Sequence, residues 1–479
     1  MKNSIASVFA LILAAHVFAA DPEFAIGYEY PAAHGKVPTT ETFHRIIDII
    51  SDLGYNQFHI YLKNTFAYTN HPAALKRNPA PVTAEEIRAL DDYCAKKGIE
   101  LVPYQASFGH MEPWLAMPEY NHLAETPKGV RTEKPKLNCG PISLCATDPA
   151  SISFLAGLYD ELLPNFRTKK INVGCDEVWD LRDPDCRSAA EVKRLGAGRV
   201  YLNCILKIHE NIQARGHVMM CWADMIFLHP ELVPDMPKKN IIALDWGYEA
   251  NTPFERHGEL LKKAGVPFYV CPGTSGWGSL FGRVDNMKKN IDNAMAAAKK
   301  HGASGLLLTD WGDGKHPQPW IAGLPGIIYA AARAKGEEMD DAKLAAAIDR
   351  VTRCTCGEAL IRYGNLYLKC GVIRSNGTAL YDIFQKASGF KRPATMTEEK
   401  MADVFAEWRA AKAVLNLSGA PQWVKDDFEL LDVLATVVEL RWKGQHDAVK
   451  TLAPRYRELW VKQNRPGNID SDTKHLFRR

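Results

Sequence analysis

Beyond the N-terminus, no stretch of the chain approaches the ~18 uninterrupted apolar residues that a membrane-spanning helix needs. No later segment is therefore expected to cross a bilayer. Charge of one sign is not in excess either: 59 basic against 56 acidic residues leave a net charge of +3, with no basic run. Nucleic acid is not expected as a partner on that balance. There is no His-x-His pair of the kind a metal-dependent barrel hydrolase places on one strand, and His34, His59, His110, His229 and His316 lie scattered. No Cys-x-x-Cys spacing suggests zinc. No Gly-x-Gly-x-x-Gly turn follows the first strand-like run, which continues as GYEYPAAHG. Neither a metal nor a cofactor is predicted.

What is present begins with MKNSIASVFALILAAHVFAADP, which has a lysine at position 2, an apolar core, and small residues before Asp21. That pattern is a secretory signal over 1–20, cleaved after Ala19 or Ala20. With no lipobox before a cysteine, the expectation is an exported protein, periplasmic or secreted. All 11 cysteines follow this segment, and an odd number leaves at least one thiol free. Cys175, Cys221 and Cys271 fall in apolar runs and read as small core residues. Cys139–Cys145 and Cys175–Cys186 are the candidate disulfides.

From Phe24 to about Ile328 one pattern recurs: a short β-rich run ends in polar or aromatic residues, and an amphipathic stretch follows. The runs are FAIGYEY (24–30), NQFHIYL (56–62), IELVPYQ (99–105), KINVGC (170–175), HVMMCWAD (217–224), NIIALDW (240–246), VPFYVCP (266–272) and SGLLLTDW (304–311). Between them lie helix-like segments with apolar residues at three- and four-residue spacing, most of them ending at glycine. Strand–helix alternation implies a parallel sheet with helical crossovers. Eight units favour a (β/α)8 TIM barrel over 21–336. After Gly336 the alternation stops, and 337–479 reads as an α-helical C-terminal domain. That domain could cover its own barrel or reach a second subunit, so a homodimer is one expectation.

In such a barrel catalytic groups gather at the C-terminal ends of the strands. Reading those ends in order gives Glu29; Lys63 and Asn64; Gln105 and His110; Asp176 and Glu177; Trp222 and Asp224; Asp245, Trp246 and Tyr248; Thr274 and Trp277; Asp310, Trp311 and Asp313. Half of the ends carry a tryptophan near an acid or hydroxyl. Sugars ask for both, because their C–H faces stack on flat rings while their hydroxyls seek carboxylates. The adjacent pair Asp176-Glu177, directly after an apolar run, is the candidate acid end of the site.

At these residues the sequence resembles glycoside hydrolase family 20, the β-N-acetylhexosaminidases, and within it the hexosaminidase-D-like and exo-β-N-acetylgalactosaminidase-like branch. The run Asn172-Val173-Gly174-Cys175-Asp176-Glu177-Val178 carries the likeness, with GHMEPW (109–114), CWADM (221–225), LDWGYE (244–249) and TDWGDGKHPQP (309–319). The resemblance implies hydrolysis with retention, in which the substrate's own 2-acetamido oxygen is the nucleophile. It implies Glu177 as general acid/base and Asp176 as the residue that holds the acetamido N–H and the charged oxazolinium. It implies His110 as support for the acid and Tyr248 as the hydroxyl on the acetamido oxygen. It implies Trp222, Trp246 and Trp311 as aromatic walls, and Asp313 on the outer sugar hydroxyls. Trp277, Asp224, Asp245 and Glu29 complete the expected sugar-binding set. The substrate implied is a glycan or glycoconjugate ending in N-acetylglucosamine or N-acetylgalactosamine.

Three departures stand out. Lys63-Asn64 replaces an acidic pair before Thr65-Phe66, YVCPGTSGW lacks a Tyr-x-Asp, and the first strand lacks an arginine. Two other readings stay open. One is a retaining glycosidase with a protein nucleophile, Asp224 or Asp245, at ~5 Å from Glu177. The other is a non-catalytic sugar-binding protein on the same scaffold.

Overall fold

The computed structural model describes residues 24–32, 37–313 and 316–477. The segment read as a secretory signal, 1–20, lies outside the described residues. Ten strands form, in order β1 (Ala25–Tyr30), β2 (Gln57–Tyr61), β3 (Glu100–Tyr104), β4 (Val130–Glu133), β5 (Lys136–Cys139), β6 (Lys170–Asn172), β7 (Val218–Trp222), β8 (Ile241–Trp246), β9 (Phe268–Cys271) and β10 (Gly305–Thr309). Eight of them close a barrel in the order β1-β10-β9-β8-β7-β6-β3-β2. Every pairing within it is parallel, and β1 meets β10 with Tyr28 opposite Leu308 and Glu29 opposite Thr309. All eight runs expected from the sequence are barrel strands, and the (β/α)8 architecture follows.

Local chemistry explains the crossovers. The helix Thr40–Leu53 buries Phe43, Ile46, Ile47 and Ile50 on one stripe, and the Thr39 hydroxyl accepts from the Thr42 N–H at its start. Each such fully buried side chain contributes roughly 1.5–3 kcal/mol. At its end Gly54 takes φ +93°, a left-handed cap that an L side chain rarely adopts.

The sequence reading missed one element. Between β3 and β6 the antiparallel pair β4–β5 stands outside the barrel, with Val130 opposite Cys139. Its strands are four residues long, with charged residues on the exposed face, so no apolar run announces them.

The two candidate disulfides do not form, and all 11 cysteines are free thiols. Cys175 is sealed in the barrel with its Sγ 3.5 Å from the Val173 carbonyl, while Cys186 lies buried elsewhere and Cys139 is exposed on β5. Cys145 points instead at Thr147 and Ser188.

Among the described residues, the chain after Gly336 forms helices and no named strand, the longest helix being Gln422–Trp442. This region packs against the early part of the chain, around the first crossover helices. Pro38 bridges Asn464, Arg465 pairs with Glu86 at 2.7 Å, and Arg45 lies 4.7 Å over the Trp423 ring. Among the described residues no helix is long and apolar enough to cross a membrane.

Candidate active site

The centre of the site is the turn that leaves β6. Asn172 ends the strand and its side-chain oxygen accepts from the Gly174 N–H at 2.9 Å, which bends the chain at once. The backbone then runs through positive φ at Gly174 (+68°), Cys175 (+75°) and Glu177 (+52°). Left-handed conformations at non-glycine residues cost energy and cluster at functional sites. Two contacts hold this one. The Tyr201 hydroxyl donates to the Cys175 carbonyl at 2.9 Å, and the Glu177 N–H donates to Asp224 Oδ2 at 3.0 Å. The turn gives the two adjacent acids different surroundings: the Asp176 side chain is 11% exposed and that of Glu177 43%. Asp176 Oδ1 is buried without a hydrogen-bond partner.

His110 faces both acids. Its Nε2 lies 3.2 Å from Asp176 Oδ2 and 3.4 Å from Glu177 Oε2. The approach is possible because Gly109 precedes it; a Cβ there would stand 2.0 Å from the Asp176 carbonyl oxygen. On its other side His110 Nδ1 is 3.6 Å from Glu112 Oε1, and Glu112 Oε2 is 3.0 Å from Lys63 Nζ. Burial acts to lower the imidazole pKa, but Asp176, Glu112 and Glu177 together hold it well above its usual value. Burial likewise acts against the Glu112 carboxylate, yet His110 and Lys63 bring its pKa down to about 2. His110 and Glu112 are therefore both charged at neutral pH.

An aromatic series surrounds these acids. Tyr61 and Tyr104 stack at 3.9 Å, and the Tyr104 hydroxyl accepts from Trp222 Nε1 at 2.9 Å. Trp311 lies 5.6 Å from Trp222 and donates its Nε1–H to the Tyr248 hydroxyl at 2.6 Å. Tyr248 stacks on Trp246 at 5.2 Å and meets the edge of Trp277 at 4.8 Å. Trp246 and Trp311 keep partly open faces, whereas Trp222 and Trp277 are buried.

The structure thus brings together Asp176, Glu177, His110, Asp224, Trp222, Trp246, Tyr248 and Trp311. Glu29 joins them from the end of β1, fully buried, with both carboxyl oxygens lacking partners. Burial first, then Asp176 and Asp310, raises its pKa well above the ordinary value, so it keeps its proton. Asp224 is also raised, by burial and then by Asp176, and one of its oxygens is spent on the Glu177 backbone.

Two expected residues sit differently, and a third lies at the rim. Asp245 turns away from the mouth and pairs with His257 at 2.8 Å, on the helix Phe254–Ala264; its pKa rises to about 6 through burial. Strand alternation explains this, since Trp246 takes the opposite face. Trp277 does not present a free ring; its indole N–H is bound to Asn376 Oδ1 at 2.8 Å. Asp313 is exposed at the rim, near His110, Glu177 and Lys63.

The sequence reading also missed residues. Tyr104 carries no signal beyond lying at a strand end, and Glu112 lies within the GHMEPW run with no role assigned to it. Lys63 stood out only as a departure from an acidic pattern. Among the described residues no group of three or more His, Cys, Asp or Glu side chains could hold a metal ion.

Comparison with known proteins identifies a family. The catalytic domain of glycosyl hydrolase family 20 matches residues 37–277, just over half of the chain. Human Hexosaminidase D is 23% identical over 233 residues, 47% of this chain and 45% of that protein, so the match spans under half of that relative's length. Among solved structures, the β-N-acetylhexosaminidase of Bacteroides fragilis NCTC 9343 has a TM-score of 0.52 at 17% identity, covering 68% of this chain and 70% of its own. Flavobacterium johnsoniae chitobiase has a TM-score of 0.53 at 17% identity, covering 95% and 78%. At these identities the likeness to both is one of fold.

Proposed function

The chain belongs to glycosyl hydrolase family 20, and on that premise we propose that it is an exo-acting β-N-acetylhexosaminidase. Its substrate is a glycan ending in N-acetylglucosamine or N-acetylgalactosamine, cleaved with retention through an oxazolinium ion formed by the substrate's own acetamido group. The observation that carries this reading is the divided environment of one acid pair. Glu177 is open to the mouth while Asp176, one residue earlier, is nearly closed off, and a single imidazole touches both.

Glu177 protonates the glycosidic oxygen and then takes a proton from the attacking water. Asp176 offers its unpartnered Oδ1 to the acetamido N–H, which aims the acetamido oxygen at the anomeric carbon. The negative charge of Asp176 also stabilises the oxazolinium cation. Tyr248 accepts a hydrogen bond from Trp311 and keeps its own proton for the acetamido oxygen. Trp246 and Trp311 offer partly open faces to the sugar. Against a protein nucleophile stand the engagement of Asp224 Oδ2 with the Glu177 N–H and of Asp245 with His257.

The test is hydrolysis of 4-nitrophenyl β-glycosides of N-acetylglucosamine and N-acetylgalactosamine beside those of plain glucose and galactose. Turnover is expected for the 2-acetamido sugars only. Glu177→Gln lowers kcat by ~10²–10⁴ and Asp176→Asn by ~10²–10³. Equal turnover of plain glucosides would remove the acetamido nucleophile and sink the assisted mechanism.

A further inference from the structure

The end of β2 carries a lysine where no sugar-binding role has been assigned, and its ammonium is turned toward the catalytic cluster. The Lys63 side chain is 5% exposed and its Nζ stands 3.0 Å from Glu112 Oε2. Lys63 and His110 both hold left-handed backbone, at φ +48° and +56°, conformations that bring their side chains to opposite sides of Glu112. The result is a line of alternating charge from Lys63 through Glu112 to His110, which ends on Asp176 and Glu177.

We propose that Lys63 and Glu112 are a positioning pair for the catalytic acids: Glu112 anchors and charges the His110 imidazole, and Lys63 fixes Glu112 and offsets the negative field of the site. Neither side chain touches the acids directly, so both act through the histidine.

The need for an offset comes from the census of charges. His110 is faced by Glu112 on its own segment, by Asp176 and Glu177 from the end of β6, and by Asp313 from the rim after β10. Asp224 and the protonated Glu29 stand behind Asp176. Against these carboxyls the cluster has two cations, His110 and Lys63. The sign of each contribution follows from Coulomb's law. Glu112 favours the charged imidazole and Lys63 disfavours it, so removing one or the other moves the His110 titration in opposite directions.

The experiment uses the full chain with ring-¹⁵N histidine, His110 being assigned by loss of its signal in His110→Asn. Its pH titration is followed by NMR in wild type, Glu112→Gln, Lys63→Met, Lys63→Arg and the double variant. Glu112→Gln is expected to lower the His110 pKa by about one unit or more and Lys63→Met to raise it. Lys63→Arg should leave it near wild type, and the double variant should fall between the singles. In the same proteins the alkaline limb of kcat/KM for the 4-nitrophenyl 2-acetamido glycoside should follow the same order. Glu112→Gln should also cost ~10²-fold in kcat/KM. Shifts of the same sign in both single variants, or an unmoved titration, would overturn the pair, even if both variants lose activity. This inference deepens the hexosaminidase reading. A wild type without turnover of 2-acetamido glycosides would defeat that reading alone, because the titration tests the pair without catalysis.

Discussion

Two carboxylic acids joined by one peptide bond meet different surroundings here because of one backbone reversal. Glu177 at φ +52° has an exposed side chain, and Asp176 keeps a buried oxygen without a hydrogen-bond partner. Asp224 supports the reversal from beneath through the Glu177 N–H. Glu29 shows a third fate for a carboxyl, buried with no partner and therefore protonated. Its consequence for stability has a definite sign. In the unfolded chain Glu29 titrates near its ordinary value of 4.5, while in the fold its pKa is raised. The stabilising contribution is then fully present below 4.5 and is lost as pH rises through the folded value. Glutamine copies the protonated form at every pH. Glu29→Gln should therefore melt close to wild type near pH 4 and gain on it toward pH 8, by on the order of 5 °C. Parallel thermal melts across that range decide it, and a gap that does not change with pH would mean that Glu29 is ionised in the folded protein.

At the scale of elements, the walls of the site are loops that other loops hold. Arg283, 2% exposed, donates to Glu249 at 2.8 and 3.1 Å and to the Tyr248 carbonyl at 3.3 Å. It also reaches the Arg374 carbonyl at 3.1 Å in the helical region, and the Asn376 N–H donates to the same Glu249 at 2.7 Å. Three segments thus meet at one guanidinium behind Tyr248. Arg283→Met would leave the Glu249 carboxylate without its cation. Breaking a buried pair this way costs about 3–5 kcal/mol, and the partial exposure of Glu249 puts the expectation at the lower end. The variant should melt lower and lose about tenfold in kcat/KM. Arg283→Lys should recover only part of this, because an ammonium cannot make the two parallel bonds. An unchanged melting point and rate in Arg283→Met would show that the junction is not what fixes Tyr248.

The same scale accounts for what could be read from the chain. Parallel barrel strands are covered on both faces, so most appear as largely apolar runs, and all eight were legible for that reason. The β4–β5 pair is half solvated and only four residues per strand, and it left no comparable trace. Asp176, Glu177 and His110 were legible because their places follow directly from strand ends. Asp245 was assigned to the mouth because it sits at a strand end too, but one residue of alternation puts it against His257 instead. Arg283 was beyond reach, because its place depends on a contact with Arg374, 91 positions away, which no local window shows. Glu112 lies two residues from His110, but its contact depends on the left-handed turn there.

For the whole molecule, the helical region is part of the barrel's own packing. Trp423 lies against Trp320 at 6.0 Å and under the Arg45 guanidinium. Asp427, fully buried, accepts from the Ile321 N–H at 3.2 Å and is approached by the Gln463 side-chain amide. Arg465 donates to the Pro81 carbonyl and to Glu86, on the side of the barrel opposite in sequence. The buried Ile321 N–H thus finds its acceptor after residue 336, and such a group costs about 1–3 kcal/mol when left unsatisfied. The helix Leu324–Ala334, buried along nearly its whole length, joins the two parts directly. A chain ending at residue 336 should therefore lack a cooperative melt and turnover, while the full chain unfolds in a single transition. Calorimetry on both forms, with the glycoside assay alongside, separates the alternatives. A soluble, active 21–336 fragment with its own sharp transition would make the helical region an attachment, and the Arg283 junction would then have to owe its effect to Glu249 alone.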